Sequence, residues 1–242
     1  MKRYAILLVG SLAAVVCVRL GFWQLDRLEQ RRARNAAAEA QLALPLLSVV
    51  DRESLRIDSG AYRRVVARGT FDFEREIILL ARSRRGVPGV HVVTPLLVDD
   101  STAILVERGW APSPNGRDIE LSDFREPVDA AVEGVLLRPS ANRRQQTVPV
   151  GWPLYVLTAD PEPFAAHYSY TLSPMLLRRT AASERMPSAM RLVALPERTG
   201  GSHLSYAIQW FTFATIALVG SILLFRRTPT RGDAASGDLD LA

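Results

Sequence analysis

Two membrane-length apolar helices at the chain ends, flanking a mostly antiparallel β domain of barrel-like, α+β character, form the fold class this sequence predicts. Three observations carry it. Tyr4 to Val18 contains no charged residue, and with Arg19 tolerated the apolar run reaches Phe22. Gly200 to Phe225 contains no Asp, Glu, Lys or Arg. Between them lie short β-branched runs punctuated by Gly, Pro and Asp. A helix crossing a hydrocarbon core of roughly 30 Å needs about 20 apolar residues, and both terminal segments supply them.

The first segment, 4–22, is expected to be a retained transmembrane helix. Lys2 and Arg3 would also suit a signal peptide, but no small-x-small cleavage site follows, and Arg19 to Trp23 makes a poor exit for a peptidase. A lipidated Cys17 would need a small residue before it, where Val16 stands. Residues 23–45 keep apolar positions at three-to-four spacing among charges, so the helix is expected to continue until Pro45.

Residues 46–199 form the expected β-rich domain. Strands are predicted at 64–71, 76–82, 90–98, 103–107, 130–137, 154–158 and 171–179, with turns at 86–89 and 99–101. Pro95 implies an edge strand or a bulge. Segments 112–126 and 138–153 read as long loops, and Asp160 as the cap of a short helix. Closing the sheet into a small barrel would leave few exposed edges. The second transmembrane helix is expected at 203–225 and a cytoplasmic tail at 226–242.

Basic residues set the orientation. Lys2 and Arg3 precede the first helix, and Arg226, Arg227 and Arg231 follow the second, so both termini are expected in the cytoplasm. Arg27, Arg31, Arg32 and Arg34 oppose this, but long domains cross largely regardless of charge. The central domain is therefore expected outside, in the periplasm of a bacterium, with the chain a multi-pass protein of the inner (plasma) membrane.

Composition excludes several classes. Hydrophobic residues make up 48% and charged residues 23%, which is ordinary for a globular chain carrying two membrane helices. The net charge is +5, yet an externally placed domain rarely meets nucleic acid, so no nucleic-acid partner is expected. Lys2 is the only lysine; coding bias and selection for anion binding both fit the arginine-rich remainder. The lone Cys17 forms no disulfide within the chain.

There is no Gly-rich phosphate loop, Cys-x-x-Cys pair, His-Glu-x-x-His or Gly-x-Ser-x-Gly. A Cu(I) site wants paired thiolates or thioethers, and these are missing as well. His91 and His167 read as packed or half-exposed structural histidines. No enzymatic role is expected.

His203 differs by its address. Twenty-two steps from it to Phe225 span ~33 Å at 1.5 Å rise, so it stands at the outer rim of the hydrocarbon. His203, Tyr206, Ala207 and Trp210 share one helix face, and Trp23 and Gln24 leave the first helix at the same level. Two readings stand: an aromatic belt with a wet histidine, or an intramembrane ionisable site framed by both helices. Arg108-Gly109-Trp110 likewise reads either as a strand end with a packed indole or as a bend with Arg stacked on Trp.

Five fragments then appear in order. They are Gly21-Phe22-Trp23-Gln24-Leu25-Asp26-Arg27, Tyr62-Arg63-Arg64-Val65 with Gly69-Thr70-Phe71-Asp72, and Arg82-Ser83-Arg84 with Pro88 to Leu96. Arg108-Gly109-Trp110-Ala111-Pro112 and His203-Leu204-Ser205-Tyr206-Ala207-Ile208-Gln209-Trp210-Phe211 follow. Set between two terminal membrane helices, they resemble the Surfeit locus protein 1 family over about residues 4–227. Glu107 departs from that pattern, where Asn or Asp often precedes Arg-Gly-Trp.

The resemblance implies an assembly factor, or chaperone, for haem-copper cytochrome c oxidase in respiratory-chain biogenesis. It would hold or protect haem a near nascent subunit I, with that subunit and other assembly factors as partners. His203 becomes the candidate axial ligand of the haem iron, with Tyr206, Trp210, Trp23 and Arg27 as further cofactor-binding candidates. Arg27 or Arg31 would pair with the propionates, and Arg108 and Trp110 are the candidates for partner contact. A cofactor-free membrane scaffold stabilising an oxidase assembly intermediate is the alternative, and an unrelated envelope enzyme a third.

Overall fold

A computed structural model describes residues 2–49, 61–139, 151–182 and 186–227, and among these the chain forms eight strands, two long helices and two short 3₁₀ turns. The helices are α1 (Lys2–Ala43) and α2 (His203–Arg227). The strands are β1 (Leu47–Val49), β2 (Arg64–Phe71), β3 (Ile77–Arg84), β4 (Val87–Asp99), β5 (Thr102–Pro112), β6 (Asp129–Leu137), β7 (Leu154–Val156) and β8 (Thr171–Arg179). The chain divides into a helical unit, residues 1–36 with 198–242, and a sheet unit, residues 37–197. The expected tail lies outside the described residues beyond Arg227, as does the expected loop 138–153 between residues 140 and 150.

In the helical unit, α1 and α2 are long and apolar enough to cross a membrane, and the stretch of α1 from Tyr4 to Gln24 runs antiparallel against α2. Tyr4 meets Phe225 edge-on at 5.6 Å, and Phe22 meets Phe211 at 5.5 Å. Close approach depends on glycine. A Cβ on Gly10 would stand 2.3 Å from Ser221 Cβ, and one on Gly21 would stand 2.6 Å from the Phe211 ring. Much of the apolar surface faces outward: Leu8 is 71% and Ile216 62% exposed.

In the sheet unit, antiparallel ladders join β2–β6, β6–β8, β5–β4 and β4–β2, and a parallel ladder joins β8–β5. Traced from β2, these pairings return to β2. They surround a core of Val65, Ala67, Phe71, Leu96, Ile104, Val106, Val132, Leu136 and Leu177. β3 adds antiparallel to β4, and β1 and β7 add parallel to β2 and β3.

Three local features depart from expectation. Pro95 lies in β4, an interior strand rather than an edge. β3 pairs with β4 only up to Val93 and β2 takes over at Leu96, so a residue without an N–H falls in the gap. The β3–β4 turn is Arg85-Gly86, both at positive φ, a two-residue hairpin whose handedness suits the sheet twist. The short helix after Asp160 is a 3₁₀ turn, Glu162–His167, whose capping residue is Pro161.

Candidate functional site

His203 opens α2, where the backbone has just turned through Gly201 at φ +69. Its Nδ1 lies 2.9 Å from Gln24 Oε1 of α1. An amide oxygen only accepts hydrogen bonds, so this contact requires a proton on Nδ1, and in the neutral imidazole Nε2 then keeps its lone pair. That is how a ligating histidine is oriented when its other ring nitrogen is tied to an oxygen.

Further clasps hold the same end of the helix pair. Arg31 Nε donates to the Thr199 carbonyl at 3.0 Å, and Asn35 Nδ2 to the Arg198 carbonyl at 3.0 Å. Leu28 is buried there and lies within van der Waals range of a Cβ built on Gly200.

The expected face of α2 divides. Ala207 is 1% exposed, whereas Tyr206 is 49% exposed. Trp210 packs edge-on against Phe213 at 5.9 Å. On α1, Trp23 is 50% exposed and Arg27 Cζ stands 5.6 Å over its ring. Arg27 also donates from Nη1 to Gln30 Oε1 at 3.1 Å. Gln24, rather than an aromatic residue, is what the structure brings to His203. The sequence sets Gln24, with Trp23, at the expected level of His203 but carries no sign of the hydrogen bond itself.

The second candidate region centres on Arg108. β4 pairs Val92 with Gly109 and then Val93 with Glu107, so Arg108 is the extra residue of a bulge. Its side chain is 1% exposed. Nη1 lies 3.0 Å from Glu76 Oε1 and 3.2 Å from Thr94 Oγ1, Nε lies 3.0 Å from Glu126 Oε1, and Nη2 donates to the Phe124 carbonyl. Arg179 reaches the same Glu126 oxygen at 2.9 Å.

The guanidinium stacks over Phe73 at 5.0 Å and Phe71 at 5.6 Å, not over Trp110. Burial pushes the Glu76 carboxyl up, against the hydrogen bond from Thr94 and the charge of Arg108. Burial also lowers the pKa of Arg108, against Glu126 and Glu76. This residue, a candidate for partner contact, spends its donors inside the domain and offers none at the surface.

Trp110 is 7% exposed. Its backbone exchanges hydrogen bonds with Arg191, at 2.7 and 2.8 Å. Its indole lies against Gly89, where a Cβ would stand 2.4 Å from Nε1. Among the described residues that Nε1 has no hydrogen-bond partner. The geometry is that of a packed indole.

Glu107, next to Arg108, belongs to another cluster. Its Oε1 lies 2.5 Å from His91 Nδ1 and its Oε2 accepts from Arg178 Nε at 2.6 Å. Burial alone would raise its pKa, but the His91 hydrogen bond and the Arg178 guanidinium outweigh burial and hold the carboxyl below the usual carboxylate range. Among the described residues no three His, Cys, Asp or Glu side chains group as a metal site.

A model of the SURF1 family matches residues 11–215. A SURF1-like protein of Rickettsia felis is 32% identical over 110 residues, 45% of this chain and 47% of that protein. A SURF1-like protein of Mycobacterium tuberculosis is 25% identical over 236 residues, 91% of this chain and 85% of its own length. The cytochrome oxidase assembly protein SHY1 of Saccharomyces cerevisiae is 30% identical over 100 residues, 40% of this chain and 25% of that protein. The chain thus spans about half the length of the rickettsial relative and a quarter of the yeast one.

Proposed function

Because the chain belongs to the SURF1 family, we propose that it is a membrane-held assembly factor for a haem-copper cytochrome oxidase, acting without catalysing a reaction. The relative named for cytochrome oxidase assembly supports this reading. The outward apolar surface of α1 and α2 supports membrane insertion, since soluble proteins rarely leave such contiguous patches in water. In this reading both termini are cytoplasmic. The sheet unit, taken as a small barrel from its circuit of ladders, then lies on the outer side of the inner membrane.

The finer proposal is that the chain holds haem a for nascent subunit I. The observation that carries it is the His203–Gln24 contact, which fits an axial donor: the proton sits on Nδ1 and Nε2 is left to bind iron. Bound haem would supply an iron seeking that neutral imidazole, which buries no net charge in the membrane. Trp23, Tyr206 and Trp210 would give aromatic walls, and Arg27 would meet a propionate by charge-assisted hydrogen bonds. Arg31 is already engaged by the Thr199 carbonyl and is the weaker candidate.

A cofactor-free scaffold is the second reading, and the same contact favours it in another way: His203 and Gln24 also serve as a polar clasp between two helices. The assembly role is tested in cells lacking the chain. Membranes should contain oxidase subunit I deficient in haem a, and expression of this chain should restore it. Normal haem a content without the chain would overturn the proposal.

A further inference from the structure

A cavity of about 470 Å³ opens in the sheet unit, far in sequence from His203. Its walls include Leu79, Leu137 and Leu176, so its body is apolar. Its polar groups converge from four strands and a strand end: Arg82 of β3, His91 of β4, Glu107 of β5, Arg178 of β8 and Arg138 just after β6. A concave apolar site with a few converging polar groups is the form that small-molecule sites take.

Two features built into the sheet bring the cations there. β3 carries a bulge: Leu79 pairs with His91 and Arg82 with Gly89, leaving Leu80 and Ala81 opposite Val90 alone, with Ala81 at φ 55. Such a bulge re-aims the residue that follows it, here Arg82. The parallel β5–β8 ladder sets Arg178 beside Glu107.

Donors outnumber acceptors in this cavity. Each guanidinium carries five N–H donors. Arg82 uses one on the Leu157 carbonyl at 2.6 Å. Arg178 uses Nε on Glu107 and Nη1 on the Ala194 carbonyl. Arg138 has no hydrogen bond or ion pair with another described residue. Glu107, the one carboxylate among the described lining residues, has both oxygens engaged and is itself buried. Burial, joined by the charge of Arg178, lowers the pKa of Arg82, against the pull of Glu107. Among the described residues of the cavity, three guanidinium cations and one satisfied anion call for a further negative charge.

We propose that this cavity binds a small amphipathic acid, its apolar body against Leu79, Leu137 and Leu176 and its carboxylate or phosphate on Arg82, Arg138 and Arg178. The site is separate from the haem reading and does not depend on it. Full-length protein in lipid nanodiscs is titrated calorimetrically with phenylacetate, benzyl phosphate, neutral phenylethanol and cationic phenethylamine, with protein-free discs subtracted.

At least one acid is expected to bind about tenfold or more tighter than phenylethanol, and phenethylamine more weakly still. The tighter acid identifies the head group as carboxylate or phosphate. Arg82→Gln and Arg138→Gln should each weaken the acid about tenfold and leave phenylethanol unchanged. Arg138 is exposed and outside the strands, so its variant keeps the test open if Arg82→Gln fails to fold. His203→Ala should leave every titration unchanged, which separates this proposal from the haem reading. Acids binding no better than phenylethanol, or full acid affinity in Arg138→Gln, would overturn it.

Discussion

Gln24 and His203 stand 179 positions apart in the chain and meet at 2.9 Å, amide oxygen to Nδ1. One hydrogen bond thereby joins the two long helices and, in the neutral imidazole, leaves the lone pair on Nε2. If that nitrogen serves as a ligand, the amide is the group that orients it.

Gln24→Leu removes the acceptor and keeps the side-chain bulk. Loss of an outer partner to a ligating histidine typically costs about 10–100-fold in affinity. Haem a titrated into the variant should bind about tenfold or more weakly, with membrane insertion unchanged. Equal affinity would mean that the contact serves helix packing alone.

Arg108→Ala should lower stability by about 3–5 kcal/mol, because it leaves Glu76 and Glu126 buried without their cation. Arg108→Met, apolar and of similar reach, should be no worse, since it still covers Phe71 and Phe73. Glu76→Gln should be milder than either, because burial already favours the protonated form of that carboxyl. Denaturant midpoints of the full chain in detergent check all three. An Arg108→Ala variant with wild-type stability would return Arg108 to the role of a surface contact.

Acid should destabilise the sheet unit through Glu107. Its folded-state pKa is depressed, so its contribution is fully present above the ordinary value of 4.5 and is lost as pH falls through the lower folded value. Glu76 has a raised pKa and acts in the opposite direction, its contribution fading as pH rises. Melting temperature followed below pH 4.5 should fall more steeply in the wild type than in Glu107→Gln, which has no such proton to gain. Parallel curves would contradict the assignment.

A reporter active only outside the cytoplasm should work when fused after Glu120 and stay silent when fused after Arg231. The reverse pattern would contradict the orientation and the proposed place of action.

Most strand positions were legible because apolar runs with turn residues between them mark a sheet locally. Thr171–Arg179 coincides with its prediction, as does Arg64–Phe71. Leu47–Val49 was missed: three residues carry no period, and the strand exists by pairing parallel to β2. β5 runs on to Pro112 through Arg108-Gly109-Trp110, which reads as a strand end because an arginine and a glycine interrupt the pattern. The bulge at Arg108 and the exchange of Trp110 with Arg191 extend the strand there.

At the site, the start of the second long helix at His203 was legible from the charge-free run alone. Gln24 was expected at the level of His203, but its hydrogen bond to Nδ1 was not legible, because a contact between residues so far apart leaves no local trace. Of the two readings of Arg108-Gly109-Trp110, the packed indole holds and the Arg–Trp stack does not, and the sequence could not separate them for a related reason. Glu76, Thr94 and Glu126, which hold the guanidinium on Phe71 and Phe73, come from distant parts of the sequence. The Glu107 cluster and the bulge that aims Arg82 were likewise invisible until the ladders were in place.

The central claim is that His203 donates to haem iron, and the optical spectrum of the purified full-length chain tests it most directly. The chain is produced with haem a synthesis active, alongside His203→Ala, a substitution the helix accepts without strain. The wild type should carry a haem a spectrum that is lost or shifted in His203→Ala, with both proteins inserted in the membrane at equal levels. An unchanged spectrum and haem stoichiometry in His203→Ala, or no haem absorption in the wild type, would contradict the claim and leave the scaffold reading in its place.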